Sequence, residues 1–192
     1  SIASKFQIRF FATGGIGGVH LNAKNTNDVS ADLYALSENS NFVICSGAKS
    51  ILDLSKTNEL LETLGITRIG YQTNYMPGFW YEETENKVDN KFDEIHEISS
   101  FLKLNENMGN KKSILIFNKV PFEKALNKND VEKWINNATI KADRNNISGK
   151  ELTPFLIKEI NEQSKNETLN ANVSLIINNA NLAGKIAKSF YS

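Results

Sequence analysis

The chain has one cysteine, Cys45, in 192 residues, so an internal disulfide is excluded and a reducing, intracellular setting is expected, the cytoplasm first and an organelle second. With two histidines beside it, thiolate and imidazole cannot furnish a four-ligand zinc site. Any metal must rest on carboxylates, which points to a hard cation such as Mg or Mn. Charge of one sign is not in excess: Lys and Arg total 22, as do Asp and Glu. No basic field is therefore available for counterion release, and a nucleic-acid partner is not expected. No apolar run reaches the ~18 residues of a membrane span. The opening SIASKFQIRFFATGG enters an apolar strand without a charged leader or cleavage site, so no signal peptide is expected. It also lacks an initial Met and reads as cut from something longer.

What is present fits one α/β unit spanning residues 1–192: 40% hydrophobic and 23% charged residues leave room for a sizeable core. Eight of the 11 glycines fall at or before Gly78, four of them in TGGIGGVH, so the site-building loops are expected in the first half. Buried strands are predicted at 7–12 (QIRFFA), 42–45 (FVIC), 67–72 and 113–117 (SILIF). Helices are predicted over 29–38, over 50–64 in two pieces, on the stripe Phe92, Ile95, Ile98, Phe101 and Leu102, and from Asp130. Thr153-Pro154 reads as N-cap and first position of another, and 172–191 as a buried helix carrying Asn178 and Asn179. Strands alternating with helices imply a layered, largely parallel or mixed sheet flanked by helices on both faces.

Several residues could carry chemistry. TGGIGGVH follows a strand, where α/β sheets bind anions, but matches neither G-x-G-x-x-G nor the P-loop spacing. Thr13 and His20 flank it and could bind phosphate or serve only the fold. On a helical start Asp28 and Asp32 would face one way and invite a cation or a hydroxyl-rich ligand; equally, Asp28 could be an N-cap with Asp32 in the first turn. Lys49 follows FVICSG, where a buried strand ends and a helix is expected to begin. A helix N-terminus and low dielectric both disfavour an ammonium, and a neutral lysine can attack a carbonyl carbon to form an imine. Asn178 and Asn179 either hold a ligand or tie helix to loop. Phe79, Trp80 and Tyr81 read as rim packing.

Taken together and in order, FATGGIGGVH, DVSAD, CSGAKSILDL, GYQT, GKELTPFL and NNANLAGKIA closely resemble the indigoidine synthase A-like family of pseudouridine-5'-phosphate glycosidases. The resemblance runs through nearly the whole chain and is weakest over 81–146. It implies reversible cleavage of the C–C glycosidic bond of pseudouridine 5'-phosphate to uracil and ribose 5-phosphate, with a divalent ion, typically Mn, and a homotrimer. It matches Lys49 to the Schiff-base nucleophile, Asp28 to the metal-binding aspartate, and Ser30, Ala31 and Asp32 to a substrate-contacting stretch. His20, Asn178 and Asn179 fall in matching motifs. The family's acidic glutamate and a substrate-binding lysine precede the glycine-loop motif, so these residues are expected to be a C-terminal portion that needs its N-terminal part. The alternatives are a non-catalytic phosphosugar- or nucleotide-binding module, or an inactive structural subunit.

Overall fold

The computed structural model describes residues 2–21 and 23–192. Its elements in order are α1 (Ile2–Lys5), β1 (Phe10–Ala12), α2 (Ala23–Thr26), α3 (Ala31–Glu38), β2 (Phe42–Cys45), α4 (Leu54–Thr63), β3 (Thr67–Tyr71) and β4 (Asn90–Phe92). There follow α5 (Ile95–Asn107), β5 (Ile114–Phe117), α6 (Lys128–Arg144), α7 (Leu152–Gln163) and α8 (Glu167–Tyr191). The strands form one five-stranded sheet in the order β1-β2-β5-β3-β4, and every pairing is parallel.

The two most apolar segments take the middle of the sheet. FVIC and ILIF are buried on both faces, as strands covered by helices on each side must be. Phe42, Ile44, Ile114 and Ile116 turn to one layer, where α5 packs against α8. Val43, Cys45, Leu115 and Phe117 turn to the other, formed with Leu33 and Leu36 of α3, Leu61 of α4, and α6 and α7 beyond. Burial pushes the Cys45 thiol up to about 12, relieved only in part by the Gly47 backbone amide, which makes it an inert core residue.

Several boundaries move. β4 lies in a stretch without apolar patterning, where no strand was predicted, and Phe92 belongs to it rather than to the helical stripe. It is placed by Asp89, which accepts hydrogen bonds from the backbone and guanidinium of Arg68 and so brings 90–92 alongside β3. β1 keeps only the second half of 7–12, and α6 starts two residues before Asp130, capped by Asn127. At α7 the helix begins at Leu152, behind a 3-10 turn over Gly149–Glu151, so Thr153 is not its cap. Pro154 still falls in the first turn, where its missing N–H is no loss. α8 begins earlier than expected and is not buried all round: Leu169, Val173, Ile176 and Ile177 are each about half exposed. No helix among the described residues is long and apolar enough to cross a membrane.

Candidate active site

β1 and β2 do not stop pairing at their ends. Thr13 N–H donates to Ile44 O, Ser46 N–H to Gly14 O, Ile16 N–H to Gly47 O and Lys49 N–H to Ile16 O, each at 2.8–3.1 Å. The glycine loop therefore runs beside Ser46–Lys49, and both lie at the carboxyl end of the sheet, where parallel α/β folds bind ligands. Beyond Lys49 the loop turns back through antiparallel bridges of Val19 with Val29 and His20 with Leu52. The glycines permit close approach: a Cβ at Gly17 would meet Ser30, and one at Gly18 would meet Thr57.

Here a cleft of about 700 Å³ opens, lined by Thr13, Gly14, Gly15, Asp32, Lys49 and Phe79 among others. Lys49 is half-buried in its wall, and its ammonium has no acceptor among the described residues. The amides of Gly14 and Gly15 likewise find no acceptor among them. Lys49 is not at a helix start, however. α4 begins at Leu54 behind its cap Asp53, so Lys49 stands on an extension of β2 and the helix terminus does not act on it directly.

The DVSAD stretch divides its tasks. Ser30, not Asp28, is the N-cap of α3; its Oγ accepts from Asp32 N–H at 3.2 Å. Because the helix starts at Ala31, Asp28 and Asp32 do not share a helical face. Asp32 Oδ2 accepts the Gly17 N–H at 2.7 Å and lines the cleft, while Ala31 is exposed. Asp28 meets His20 instead: His20 N–H donates to Asp28 O at 3.1 Å, and His20 Nδ1 lies 3.8 Å from Asp28 Oδ2. Neither lines the Lys49 cleft. The described residues gather no group of three or more metal-ligating His, Cys, Asp or Glu side chains. Asp28, its side chain 40% exposed, could offer a single carboxylate to a hard cation whose other ligands were waters.

Asn179 is fully buried and ties helix to loop. Its Nδ2 donates to Thr13 O at 2.8 Å and Ser46 Oγ at 3.0 Å, and its Oδ1 accepts from Asn118 Nδ2 at 3.0 Å. One amide thus fastens the ends of β1, β2 and β5 to α8. Asn178 donates to Lys119 O at 3.1 Å. Sequence reasoning missed the roles of Thr57, Asn172 and Phe79. Thr57 Oγ1 accepts Val19 N–H at 2.9 Å, and Asn172 lines the cleft while accepting from Trp80 Nε1 at 2.7 Å. Phe79 and Trp80 are core residues, not rim packing. A buried indole N–H needs an acceptor, and that requirement was the available signal for Asn172.

Comparison with known proteins agrees with this arrangement. The family described as "Indigoidine synthase A like protein" matches residues 1–189. A pseudouridine-5'-phosphate glycosidase of Petrotoga mobilis is 46% identical over 189 residues, covering 98% of this chain and 62% of that protein. One from Staphylococcus aureus is 44% identical, covering 94% of this chain and 59% of the relative. Among solved structures, the prealnumycin C-glycosynthase AlnA in complex with ribulose 5-phosphate superposes with a TM-score of 0.93 at 30% identity, covering 98% of this chain and 62% of that one. An indigoidine synthase A-like protein of Thermotoga maritima gives 0.87 at 33% identity, over 97% of this chain and 61% of the other. The chain spans about three fifths of the length of these relatives. With its fold, its glycine loop and its lysine cleft in one frame, the chain belongs to the indigoidine synthase A-like family.

Proposed function

We propose that this chain supplies the nucleophile-bearing part of a pseudouridine-5'-phosphate glycosidase. The observation that carries the reading is Lys49: an amine with no partner among the described residues, in a cleft that also presents Thr13, Asp32 and the amides of Gly14 and Gly15, likewise without acceptors among them. Backbone N–H groups of this kind suit an anionic phosphosugar oxygen. Thr13 and Asp32 offer the hydroxyl and carboxylate that sugar hydroxyls need.

A C–C bond to uracil has no heteroatom leaving group to protonate, so two-carboxylate hydrolysis is a poor template. Imine chemistry answers this. Lys49 Nζ bonds to C1' as the C1'–O4' bond breaks and O4' takes a proton, which opens the ribose ring; the C1'–C5 bond then breaks as the nitrogen lone pair forms C=N. The released electron pair goes to uracil C5, which takes a proton. Water then hydrolyses the imine and returns free lysine and ribose 5-phosphate. The proton comes from an acid that we place outside these residues, in the N-terminal part of a longer polypeptide acting as a cytoplasmic homotrimer. A divalent ion at Asp28, Mn first and Mg second, would supply positive charge to substrate oxygens. Asp32 positions the glycine loop through Gly17, and His20 orients the Asp28 segment.

The test is uracil release from pseudouridine 5'-phosphate with Mn by the full-length protein. Lys49→Arg should abolish turnover while weakening substrate binding much less, because a guanidinium stays protonated and forms no imine. Near-normal turnover in that variant would overturn the mechanism. Tight phosphosugar binding without turnover by the unaltered protein would favour the binding module.

A further inference from the structure

The turn Met76–Tyr81 is absorbed by neither the fold nor the mechanism above. Loops ordinarily run over the surface, yet every residue of this one is buried. Part of its backbone pairs within the turn and part outside it: Gly78 N–H donates to Tyr81 O at 3.1 Å, Trp80 N–H to Gly78 O at 2.9 Å, and Leu126 N–H to Trp80 O at 2.8 Å. Within it Phe79 has a φ of +69°, a left-handed conformation that a bulky aromatic residue adopts only when its surroundings impose it. The result is that the Phe79 ring lies flush on the glycine loop. A Cβ at Gly15 would stand 2.7 Å from Phe79 Cδ2, and one at Gly14 would stand 3.5 Å from Phe79 Cε2.

The same turn reaches the other walls of the cleft. Ser50, the residue after Lys49, donates its Oγ to Gly78 O at 2.6 Å. Trp80 Nε1 donates to Asn172 on α8, and the Phe79 and Trp80 rings stand 5.4 Å apart. One strained turn therefore contacts the glycine loop, the lysine segment and the terminal helix.

We propose that Phe79 is a positioning residue for the reaction, and that its ring fixes the Gly14–Gly15 amides relative to Lys49. The proposal rests on the imine reading of Lys49. A phosphosugar held by the loop must present C1' to the amine, and displacement of about 1 Å between such groups lowers rates by about 100-fold. Phe79→Leu keeps apolar bulk but loses the flat face on Gly15. Ser50→Ala cuts the link from the turn to the lysine segment without touching Phe79.

The experiment uses the full-length protein, pseudouridine 5'-phosphate for kinetics, and ribose 5-phosphate with borohydride to trap the imine. Phe79→Leu should lower kcat and the trapping rate together by about 10- to 100-fold, with KM changed less than about threefold. Phe79→Tyr, which retains the ring, should restore most of the loss. Ser50→Ala should show the same split at smaller amplitude. A Phe79→Leu protein that melts earlier but traps the imine at the normal rate would overturn the proposal, as would failure of Phe79→Tyr to restore the rate. If Phe79→Leu does not fold, a normal trapping rate in Ser50→Ala overturns it. Absence of any trapping by the unaltered protein is a distinct result, which removes the Lys49 mechanism and this inference with it.

Discussion

Lys49, in the segment beyond β2, and Arg68, on β3, are two basic side chains held in opposite ways. Arg68, its side chain 5% exposed, donates to Asp89 Oδ1 at 2.6 Å and to Asn58 O and Oδ1 at 3.1 and 2.9 Å, with Glu62 at 3.4 Å. Burial lowers its pKa, but the hydrogen bonds and charges of Asp89 and then Glu62 outweigh it and hold the guanidinium above its ordinary range. Every donor direction serves the junction of β3, β4 and α4. Lys49 has no such set among the described residues, although it too is withdrawn from full solvent. A basic side chain kept in a cleft with no partner among the described residues gives up stability that a neighbouring carboxylate could add. Such an arrangement is retained for chemistry more readily than for folding.

The comparison can be broken from the Arg68 side first. Arg68→Met should destabilise the protein by about 2–3 kcal/mol, below the ~3–5 kcal/mol of a fully buried pair because water reaches the carboxylates left behind. The Asp89 side chain is 36% exposed and that of Glu62 68%. Urea unfolding measures the loss, and kcat per folded molecule should be unchanged. Lys49→Arg should do the reverse, with stability within about 0.5 kcal/mol and turnover gone.

Asn179 tests the ground between them, since it is structural in its contacts yet holds the cleft floor. Asn179→Ala leaves Thr13 O and the Asn118 amide without their partner, which should cost about 2 kcal/mol. It should also lower kcat, unlike Arg68→Met, because Thr13 and Gly14 line the cleft. The smallest effect on the fold is expected at Asp28. Asp28→Asn should move stability by less than about 0.5 kcal/mol, because Ser30 caps α3. Calorimetric Mn affinity of the full-length protein should nevertheless fall at least ~10-fold, an amide being a poorer ligand for a hard cation. Unchanged affinity would remove Asp28 from the metal.

The same contrast explains what could be read in advance. FVIC and ILIF announce central strands because both faces of those strands must be apolar, and the structure places them at the middle of the sheet. Asn90–Phe92 carries no such pattern; its pairing depends on Asp89 finding Arg68, 21 residues away in the chain, which periodicity cannot express. DVSAD was ambiguous because Asp28 and Asp32 suited either a shared ligand or a cap at Asp28 with Asp32 in the first turn; the structure keeps Val29 in an antiparallel bridge with Val19 and caps the helix with Ser30 instead. Lys49 stood out through its motif, while the expected helix behind it was displaced by the turn at Ser50–Leu52. Thr13 and Asp32 were named and do line the cleft. Asn179 was noticed as a polar residue in an apolar helix, but its partners lie 61 to 166 residues away. Phe79 gave no usable signal, since a left-handed backbone at a phenylalanine is the product of its surroundings and not of its own preference.

The most direct measurement of the central claim is the site of covalent capture. Full-length protein is incubated with ribose 5-phosphate, reduced with borohydride, digested and mapped by mass spectrometry. The account predicts one reduced sugar-phosphate adduct on the peptide bearing Lys49, absent from Lys49→Arg. Turnover of pseudouridine 5'-phosphate with no adduct at Lys49, or with the adduct on another lysine, would contradict it.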